Sequence, residues 1–303
     1  MKKILVIGSS NIDLVARVKR FPNNGETIIG ESFNTYLGGK GLNQAISAKL
    51  ANADVTFLTA LGNDNNKDYI LNELKKYDLN VCPIIKNANT GTAIILVNEQ
   101  TGENQIVVNG GANILLNKKD IDDNISLINE ADYILLQLEI PLDVIEYIVD
   151  IANKQNKTII LNPAPFKELP RSILSKLTFI TPNEGELYKL VNNSSLDYLT
   201  NASSLLELGI KNVIVTLGSN GSCFITNNYN EKIDAIKVNA VDTTGAGDSY
   251  NGVFVASLSL GYSIKESLKL STIASAISVT KNGASSSYPS FEEIMKFKSK
   301  NNL

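Results

Sequence analysis

One segment of the chain combines bare backbone with a carboxylate near the start of a helix. Gly245-Ala246-Gly247-Asp248 follows Val241-Asp242-Thr243-Thr244, and the sequence predicts an apolar helix beginning near Tyr250. Small residues at such a place leave N–H groups exposed, and these stabilise the charge on a transferring phosphoryl group. Asp248 beside them is placed to accept a proton from a substrate hydroxyl. A glycine-rich turn whose aspartate caps a helix is the alternative interpretation.

Two further segments suit the hydroxyl groups of a polyol. Gly38-Gly39-Lys40-Gly41-Leu42-Asn43-Gln44-Ala45 is not a Walker A loop, because neither Ser nor Thr follows Lys40. Bare backbone followed by amide side chains in a first helical turn fits sugar hydroxyls instead. Asn11-Ile12-Asp13 follows the first predicted strand, where ligands of parallel α/β sheets bind, and alternation puts Asn11 and Asp13 on one side. A simple turn would also explain this tripeptide.

Two motifs could contact a nucleotide. In Thr181-Pro182-Asn183-Glu184-Gly185-Glu186, Asn183 and Glu186 are three residues apart on one helical face, a spacing that can hold hydrated Mg²⁺ beside phosphates. A capping box would have the same pattern. Thr216-Leu217-Gly218-Ser219-Asn220-Gly221 ends another predicted strand, and it either brings backbone close to a phosphate or forms a hairpin.

Composition excludes several other kinds of chemistry. The 303 residues include no histidine, which rules out His-based triads and His-ligated zinc. Cys82 and Cys223 are too few for a zinc site or a disulfide framework. With 28 Lys+Arg against 31 Asp+Glu, the chain has no basic field for nucleic acid. No secretory or membrane-spanning run is present, so we expect a cytoplasmic protein without nucleic-acid or membrane partners.

Short apolar runs alternate with stretches of helical periodicity, which predicts an α/β fold with a mostly parallel sheet and helices on both faces. The predicted strands are Ile4–Ile7, Val55–Leu58, Tyr133–Leu138, Thr158–Leu161, Phe179–Ile180 and Val213–Leu217. The predicted helices are Leu42–Ala51, Asn66–Tyr77, Leu142–Lys154 and Leu199–Leu208, and the chain becomes mostly helical after Gly247.

Two regions interrupt this alternation. Residues 14–36 and 92–110 read as paired strands, neither long enough to fold alone, and together they predict a small β-sheet lid over an active site. We therefore expect a single domain spanning residues 1–303 with the lid strands inserted.

Taken in order along the chain, these segments resemble the ribokinase (PfkB) family of sugar kinases from Ile4 to about Pro289. The resemblance also includes Gln137-Leu138-Glu139 and Asn162-Pro163-Ala164-Pro165, and with the block that begins at Gly38 these are typical of the branch that phosphorylates D-ribose. It implies a three-layer sandwich with a central mostly parallel sheet and a β-sheet lid.

The resemblance also implies roles for individual residues. Asp248 matches the catalytic base for O5, and Gly245, Ala246 and Gly247 match the anion hole for the γ-phosphate. The positions matching pentose contacts are Asn11, Ile12, Asp13, Gly39, Lys40, Gly41, Leu42, Asn43 and Glu139. Those matching nucleotide contacts are Asn183, Thr216, Leu217, Gly218, Ser219, Asn220, Gly221, Gly247, Asp248 and Thr272. Thr272 departs from the family pattern, in which His or Asn often contacts the adenine.

Three further partners follow from the same resemblance. Glu186 matches the residue that organises Mg²⁺, and ATP is the phosphoryl donor. An activating K⁺ is implied at Asp242, Thr244, Ser278, Lys281, Gly283 and Ser287. The lid residues Ala93, Ile95 and Val108 match apolar positions that cover the sugar, and such lids often pair two subunits, so a homodimer is expected.

The expected reaction is ATP-dependent phosphorylation of D-ribose at O5, giving D-ribose 5-phosphate and ADP. A kinase of 2-deoxyribose or of a nucleoside on the same fold is one alternative, and a catalytically inactive sugar-binding regulator is another. An NAD-dependent oxidoreductase is disfavoured, because Gly8-Ser9-Ser10-Asn11 lacks the Gly-x-Gly-x-x-Gly fingerprint after the first strand.

Overall fold

The computed structural model describes residues 2–193 and 197–303. The strands in these residues are β1 (Lys3–Ile7), β2 (Asn11–Val18), β3 (Ser32–Gly38), β4 (Asp54–Gly62), β5 (Asn80–Lys86), β6 (Gly91–Asn98), β7 (Asn104–Asn109), β8 (Tyr133–Leu136), β9 (Thr158–Leu161), β10 (Phe179–Ile180), β11 (Asn212–Thr216), β12 (Ser222–Ile225) and β13 (Asn230–Ile233).

The helices of the same described residues alternate with these strands. They are α1 (Lys40–Leu50), α2 (Asn65–Lys75), α3 (Lys118–Asp123), α4 (Ile125–Glu130), α5 (Leu142–Lys154), α6 (Arg171–Leu174), α7 (Glu184–Val191), α8 (Tyr198–Glu207), α9 (Ala246–Ser259), α10 (Ile264–Ser278) and α11 (Phe291–Lys300). Short 3₁₀ turns span Gly111–Leu115, Gly218–Asn220 and Ser285–Ser287.

The large sheet has nine strands in the order β13-β12-β11-β10-β9-β8-β1-β4-β5. All neighbours are parallel except β11–β12 and β12–β13, which form an antiparallel edge. The chain runs from β1 outward to β4 and β5 and then returns to β8 on the other side of β1. A crevice at the carboxyl ends of β1 and β8 is the usual ligand position in such sheets.

Helices cover both faces of this sheet and give it two separate apolar cores. Ile4 and Val6 of β1 point to the core formed with α1, α9 and α10, and Phe254 lies in that core. Leu5 and Ile7 point to the opposite core, formed with α5 and α8. Because successive strand residues face opposite sides, a strand buried on both faces is an uninterrupted apolar run. The expected three-layer α/β architecture is confirmed.

Four of the remaining strands form a separate sheet in the order β3-β2-β6-β7. β2 pairs antiparallel with β3 and parallel with β6, and β6 pairs antiparallel with β7. The residues between β2 and β3 form a loop. Each of these strands joins the body close to the carboxyl ends of β1 and β4, so the small sheet projects from the edge where the crevice lies.

The structure differs from the sequence-based expectation at several element boundaries. Asn11 and Asp13 are not in a turn after β1 but belong to β2 itself, which starts at Asn11. Helix α9 starts at Ala246 rather than near Tyr250, so Asp248 lies in its first turn. Strands β5, β12 and β13 were not predicted. β5 contains Pro83, and an edge strand tolerates proline because one side of its ladder is unpaired.

Within residues 2–193 and 197–303, none of the helices has both the length and the apolar character needed to cross a lipid bilayer.

Candidate active site

The polar segments singled out in the sequence converge at the carboxyl ends of the parallel strands. Ser9 follows β1, Glu139 follows β8, Asn162 follows β9 and Asn183 follows β10, and Thr216 ends β11. Helices α1 and α9 begin above the same edge. These segments therefore meet at one site, although they are dispersed from residue 9 to residue 248 of the chain.

Asp248 is the buried carboxylate at the centre of this edge, and 6% of its surface is exposed. Its Oδ1 accepts from Gln44 Nε2 at 2.9 Å and its Oδ2 accepts from Asn43 Nδ2 at 3.1 Å. Burial raises the pKa of Asp248, while the charge of Lys40 and these two hydrogen bonds oppose the rise. A carboxylate with an elevated pKa is a stronger base than an ordinary aspartate, provided that it is ionised.

A second layer of amides fixes the orientation of the Asp248 carboxylate. Gln44 accepts a hydrogen bond from Gln137 Nε2 at 2.7 Å, and its own Nε2 donates to Asn162 Oδ1 at 3.1 Å as well as to Asp248. Asn162 in turn donates to the carbonyl of Thr181 at 3.0 Å. No individual role was predicted for Gln137 and Asn162 from the sequence. Their only signal was membership of the motifs Gln-Leu-Glu and Asn-Pro-Ala-Pro.

The start of helix α9 presents backbone N–H groups without a side-chain cap. Gly245 is the N-cap residue at φ 75° and makes no side-chain capping hydrogen bond. A Cβ on Gly247 would meet no atom within 4 Å, so the backbone there faces open space. A Cβ on Gly245 would lie 2.5 Å from the Tyr288 hydroxyl, which excludes larger residues. The geometry suits an anion approaching the first turn of this helix.

Two more carboxylates, Asp13 and Glu139, lie near Asp248 and share the half-buried cation Lys40. Burial raises the pKa of Asp13 to about 7, and the negative charges of Glu139 and Asp248 add to this effect while Lys40 opposes it. The pKa of Lys40 is raised, chiefly by Asp248. Glu139, Lys40 and Asp248 are therefore close enough to Asp13 to influence its protonation.

Glu139 also anchors the start of helix α1. Its Oε2 accepts from the backbone N of Lys40 at 2.8 Å and from Ser9 Oγ at 2.5 Å. The N-cap residue Gly39, at φ 90°, has no side chain to do this. A Cβ on Gly41 would lie 2.6 Å from the backbone of Gly8 and Ser9, so Gly41 allows α1 to begin directly against the end of β1. Leu42 is buried behind this contact.

The Asn183–Glu186 motif forms the capping box that was the alternative interpretation of its sequence. Asn183 Oδ1 accepts from the N–H of Glu186 at 2.8 Å, and Glu186 Oε2 accepts from the N–H of Asn183 at 3.0 Å. Burial raises the pKa of Glu186. Among the described residues, no group of three or more acidic, cysteine or histidine side chains could hold a metal ion. One half-buried carboxylate suits Mg²⁺, which usually keeps water and substrate phosphates as its other ligands.

The segment from Thr216 to Gly221 is a hairpin turn between the antiparallel strands β11 and β12. Gly218, Ser219 and Asn220 are exposed, whereas Leu217 is buried. Thr216 forms a parallel bridge with Asn183, so the two motifs expected to contact a nucleotide are adjacent. Thr272 is buried in α10, and its hydroxyl donates to the carbonyl of Leu268 at 2.9 Å.

The residues expected to bind K⁺ come from two segments that Asp242 joins. Its Oδ1 accepts from the N–H of Thr244 and its Oδ2 from the N–H of Gly283, each at 2.9 Å. Burial opposes ionisation, but these hydrogen bonds outweigh it and hold the pKa of Asp242 below its usual range. The Lys281 ammonium pairs with Glu293 at 3.5 Å, so its carbonyl is the atom left for a cation. Ser278 and Ser287 are buried in the second segment.

The small sheet covers a cavity of about 210 Å³ above this edge. Asp13, Arg17 and Ile95 line it from the small sheet, and Asp242 and Gly283 line it from the body. Ala93 and Val108 form a cross-strand pair, next to the pair of Ile95 with Ile106. Because i and i+2 share a face of a strand, Ala93 and Ile95 face the same side.

The fold and the site define a class of protein. The sequence matches pfkB family carbohydrate kinases over residues 1–290, and the chain belongs to this family. Within it, the chain is similar to ribokinases from Staphylococcus aureus (39% identity over 301 residues, 96% of this chain and 98% of the relative) and Schizosaccharomyces pombe (41% over 309 residues, 97% of each). It is also similar to a deoxyribokinase from Salmonella typhi, with 35% identity over 304 residues, covering 98% of this chain and 99% of the relative.

Solved structures agree with this assignment. A ribokinase from Thermotoga maritima superposes with a TM-score of 0.92 at 38% identity, covering 99% of this chain and 100% of the other. The ribokinase of Arabidopsis thaliana complexed with ribose and ATP gives a TM-score of 0.88 at 28% identity, covering 98% of both chains. The ribokinase-like fold expected from the sequence is confirmed, and the chain is an enzyme of the carbohydrate kinase class.

Proposed function

We propose that this chain transfers the γ-phosphoryl group of ATP to O5 of D-ribose, producing D-ribose 5-phosphate and ADP. The observation that carries the proposal is the position of Asp248, a buried carboxylate held by Asn43 and Gln44 in the first turn of an uncapped helix. We expect the sugar hydroxyl to approach Asp248 from the side of β2 and α1, and the phosphate to approach from the first turn of α9. Similarity to ribokinases along almost the whole chain supports ribose as the substrate.

The sugar is expected to lie between β2 and helix α1. Asp13 supplies carboxylate oxygens as acceptors, and Asn11 lies on the same face of β2. The Oδ1 atom of Asn43 is buried without a partner among the described residues, so it is ready to accept a hydroxyl hydrogen. Ile12 lies on the opposite face of β2 in the apolar core, where it fixes the strand. Gly39 and Gly41 allow the start of α1 to lie directly against the backbone of Gly8, Ser9 and Asn11 beside this site.

Asp248 orients O5 and takes its proton as the new O5–phosphorus bond forms and the bond to the ADP oxygen breaks. Phosphoryl transfer depends on alignment and charge stabilisation more than on covalent help from the protein. The N–H groups of Gly245 and Gly247 would stabilise charge on the transferred group, and that of Ala246, which donates to the carbonyl of Thr243 at 3.3 Å, would be shared with it. One such donor is worth roughly 2.7–4 kcal/mol. Closure of the small sheet excludes water from the reaction.

Two cations belong to the same proposal. Glu186 would hold Mg²⁺ through its free carboxylate oxygen, and the ion supplies charge neutralisation to the phosphates when bound. The oxygen atoms around Asp242 would hold K⁺, whose charge would order the segment that precedes the α9 helix. Asp242 already joins the two segments by hydrogen bonds, which supports a shared site.

We also propose that the chain acts as one catalytic domain, residues 1–303, whose lid pairs with a second copy. Phe33, Ile94 and Val107 leave 64%, 54% and 67% of their surface exposed on the small sheet, and such apolar area is typical of an interface. A cytoplasmic location, where ATP is available, is part of the proposal.

The second candidate substrate is 2-deoxyribose, which is favoured by the similarity to a deoxyribokinase. A site built to hydrogen-bond O2 rejects an analogue that lacks this hydroxyl, because its buried partners are left unpaired. A nucleoside kinase and an inactive sugar-binding regulator are further outcomes of the same test. The presence of Asp248 beside bare backbone argues against the regulator.

The test is a coupled ADP-release assay with Mg-ATP and K⁺, comparing ribose, 2-deoxyribose, fructose and adenosine. Asp248→Asn should reduce kcat by about 10²–10⁴-fold, the usual contribution of a general base, while ribose binding by calorimetry is retained. Asp143→Asn is the matched control, because Asp143 is an exposed aspartate in the first turn of α5. Preference for another sugar would overturn ribose as the substrate. Ribose binding without turnover would favour the regulator.

A further inference from the structure

Asn113 is a buried asparagine, 1% exposed, in the 3₁₀ turn that follows strand β7 of the small sheet, the proposed lid. Its side-chain amide contacts the start of β2, more than one hundred residues earlier in the chain. Asn113 Oδ1 accepts from the N–H of Ser10 at 3.0 Å, and its Nδ2 donates to the carbonyl of Ser10 at 3.1 Å. The same Nδ2 donates to Oδ1 of Asn11 at 2.8 Å.

These contacts determine which end of the Asn11 amide is available to a ligand. The backbone of Ser10 offers one donor and one acceptor, and it therefore fixes which end of the Asn113 amide is oxygen and which is nitrogen. The second hydrogen of Asn113 Nδ2 then requires an acceptor, which is Oδ1 of Asn11. In the described chain, no group accepts from Asn11 Nδ2, so this donor is left for the sugar beside the acceptor oxygens of Asp13.

The surrounding backbone leaves this arrangement little freedom. A Cβ on Gly91, the first residue of β6, would lie 2.1 Å from Asn11 Oδ1 and 2.3 Å from Asn113 Nδ2. The N–H of Ala112 donates to the carbonyl of Asn89 at 2.8 Å, which fastens the turn to the segment before β6. Asn113 thus lies where three of the chain segments that connect lid and body meet.

We propose that Asn113 is a positioning residue for sugar binding, holding the Asn11 amide so that Nδ2 rather than Oδ1 faces the sugar. A sugar hydroxyl can then accept from Asn11 while it donates to Asp13. This pairing of a donor beside an acceptor matches the two capacities of a hydroxyl group. The inference rests on the proposed function, because it assumes that Asn11 and Asp13 bind the sugar.

A double-mutant cycle tests whether Asn113 acts through Asn11. Asn113→Ala should raise KM for ribose by about 10-fold, the scale of one or two lost hydrogen bonds, while KM for ATP is unchanged and kcat changes little. In the Asn11→Ala background the same substitution should raise KM by less than about 2-fold, since the amide that it orients is gone. Equal effects in both backgrounds, or an unchanged KM in the wild-type background, would overturn the proposal.

Two further variants keep the outcome interpretable. Asn113→Ser is smaller but retains one hydroxyl, so it provides the cycle if Asn113→Ala does not fold, and it should show the same lack of additivity. Asn212→Ala is the control, because Asn212 also donates its amide to a backbone carbonyl (Thr178 O, 2.8 Å) but at the opposite edge of the sheet. The Asn212→Ala variant should leave KM for ribose unchanged.

The failure of this inference is distinguishable from failure of the proposed function. Turnover of ribose by the wild type with an additive cycle contradicts the role of Asn113 alone. If another sugar is preferred, the cycle is measured with that sugar. If no sugar is turned over, the proposed function fails, and the cycle is measured as the calorimetric affinity for ribose with the same criterion of non-additivity.

Discussion

Gln44 donates its side-chain amide to the carboxylate of Asp248 at 2.9 Å, across a separation of 204 positions in the sequence. Gln44 was expected to bind a polyol, but in the structure both ends of its amide are occupied by other side chains of the protein. Gln137 donates to its Oε1, and its Nε2 is shared between Asp248 and Asn162. The amide thus connects the proposed base to the ends of strands β8 and β9.

Gln44→Leu should therefore change the protonation of Asp248 as well as its orientation. The hydrogen bond from Gln44 lowers the pKa of Asp248 against the effect of burial, so its loss raises that pKa further. Because the base acts in its ionised form, the acidic limb of the pH profile of kcat, measured at saturating ribose so that the effect of Asp13 on KM does not enter, should move to higher pH. At pH 7 we expect kcat to fall by about 10-fold or more.

The matched control is Gln155→Leu, since Gln155 is an exposed glutamine whose amide bonds to Asn129 on the surface. It should leave the profile in place. An acidic limb that stays at its wild-type position in Gln44→Leu would show that Gln44 does not influence the ionisation of Asp248.

Asp13→Asn should stabilise the unliganded protein at alkaline pH. Burial raises the pKa of Asp13 from 3.8 to about 7, so between these values the folded protein keeps a proton that the unfolded chain releases. Wild-type stability therefore falls as pH rises from 4 to 7, by on the order of 4 kcal/mol for this group, and asparagine escapes that loss. Urea denaturation should show the variant more stable than wild type at pH 8 but not at pH 4.

The same substitution should abolish measurable ribose affinity, because the sugar loses its carboxylate acceptor. In the wild type, KM for ribose should decrease as pH rises through 7 and Asp13 ionises. Asp234→Asn, at an exposed position, is the control for both measurements. Equal stability of Asp13→Asn and wild type at pH 8 would contradict a buried, destabilising carboxylate at this position.

Much of the large sheet can be predicted from the sequence, because its central strands are continuous apolar runs such as Ile4–Ile7 and Thr158–Leu161. The strands at the edges of the large sheet lack such a continuous apolar run. In β5 every position is exposed or half-buried and Pro83 interrupts the run, while β13 has one buried residue, Ile233. Such strands are defined by the neighbour with which they pair, and a local pattern does not encode that neighbour.

The site could be predicted where its residues are neighbours in sequence. The segment Gly245–Asp248 indicates backbone without large side chains next to a carboxylate, and Asn43 follows a glycine-rich turn. Gln137 and Asn113 were missed as site residues because their partners are distant in sequence, and these contacts depend on the order of strands in the two sheets. The Asn183–Glu186 spacing was ambiguous for another reason, since one geometry serves both a capping box and a metal ligand.

Charged residues on the outer face of the lid should separate the proposed dimer. Ile94 and Val107 are a cross-strand pair, and each leaves more than half of its surface exposed. Ile94→Lys combined with Val107→Lys should convert a dimer into a monomer in size-exclusion chromatography with light scattering, because paired apolar area would be replaced by like charges. Tyr69→Lys on α2 removes an exposed aromatic elsewhere and should leave the dimer intact. A monomeric wild type would contradict pairing through the lid.

Lys40→Met should raise the pKa of several carboxyl groups at once, because the charge of one ammonium group acts on all of them. Lys40 lowers the pKa of Asp248, Asp13 and Glu186, and its own pKa is raised, chiefly by Asp248. Methionine has a similar length without the charge, so the pKa of each carboxyl should rise and the acidic limb of kcat/KM should move to higher pH. We expect kcat/KM at pH 7 to fall by at least about 100-fold, since both the base and the transferred charge lose a counterion.

Lys40→Arg separates charge from shape in this experiment. Arginine keeps the positive charge, so its acidic limb should remain near the wild-type position even if its bulk reduces kcat. The profiles are measured from pH 5 to 9 with saturating Mg-ATP. Lys40→Met and Lys40→Arg moving the limb equally would show that packing at this position, rather than the charge of Lys40, controls the carboxylates. A shift confined to Lys40→Met would show that the charge of the Lys40 ammonium lowers the pKa of the carboxyl groups around it.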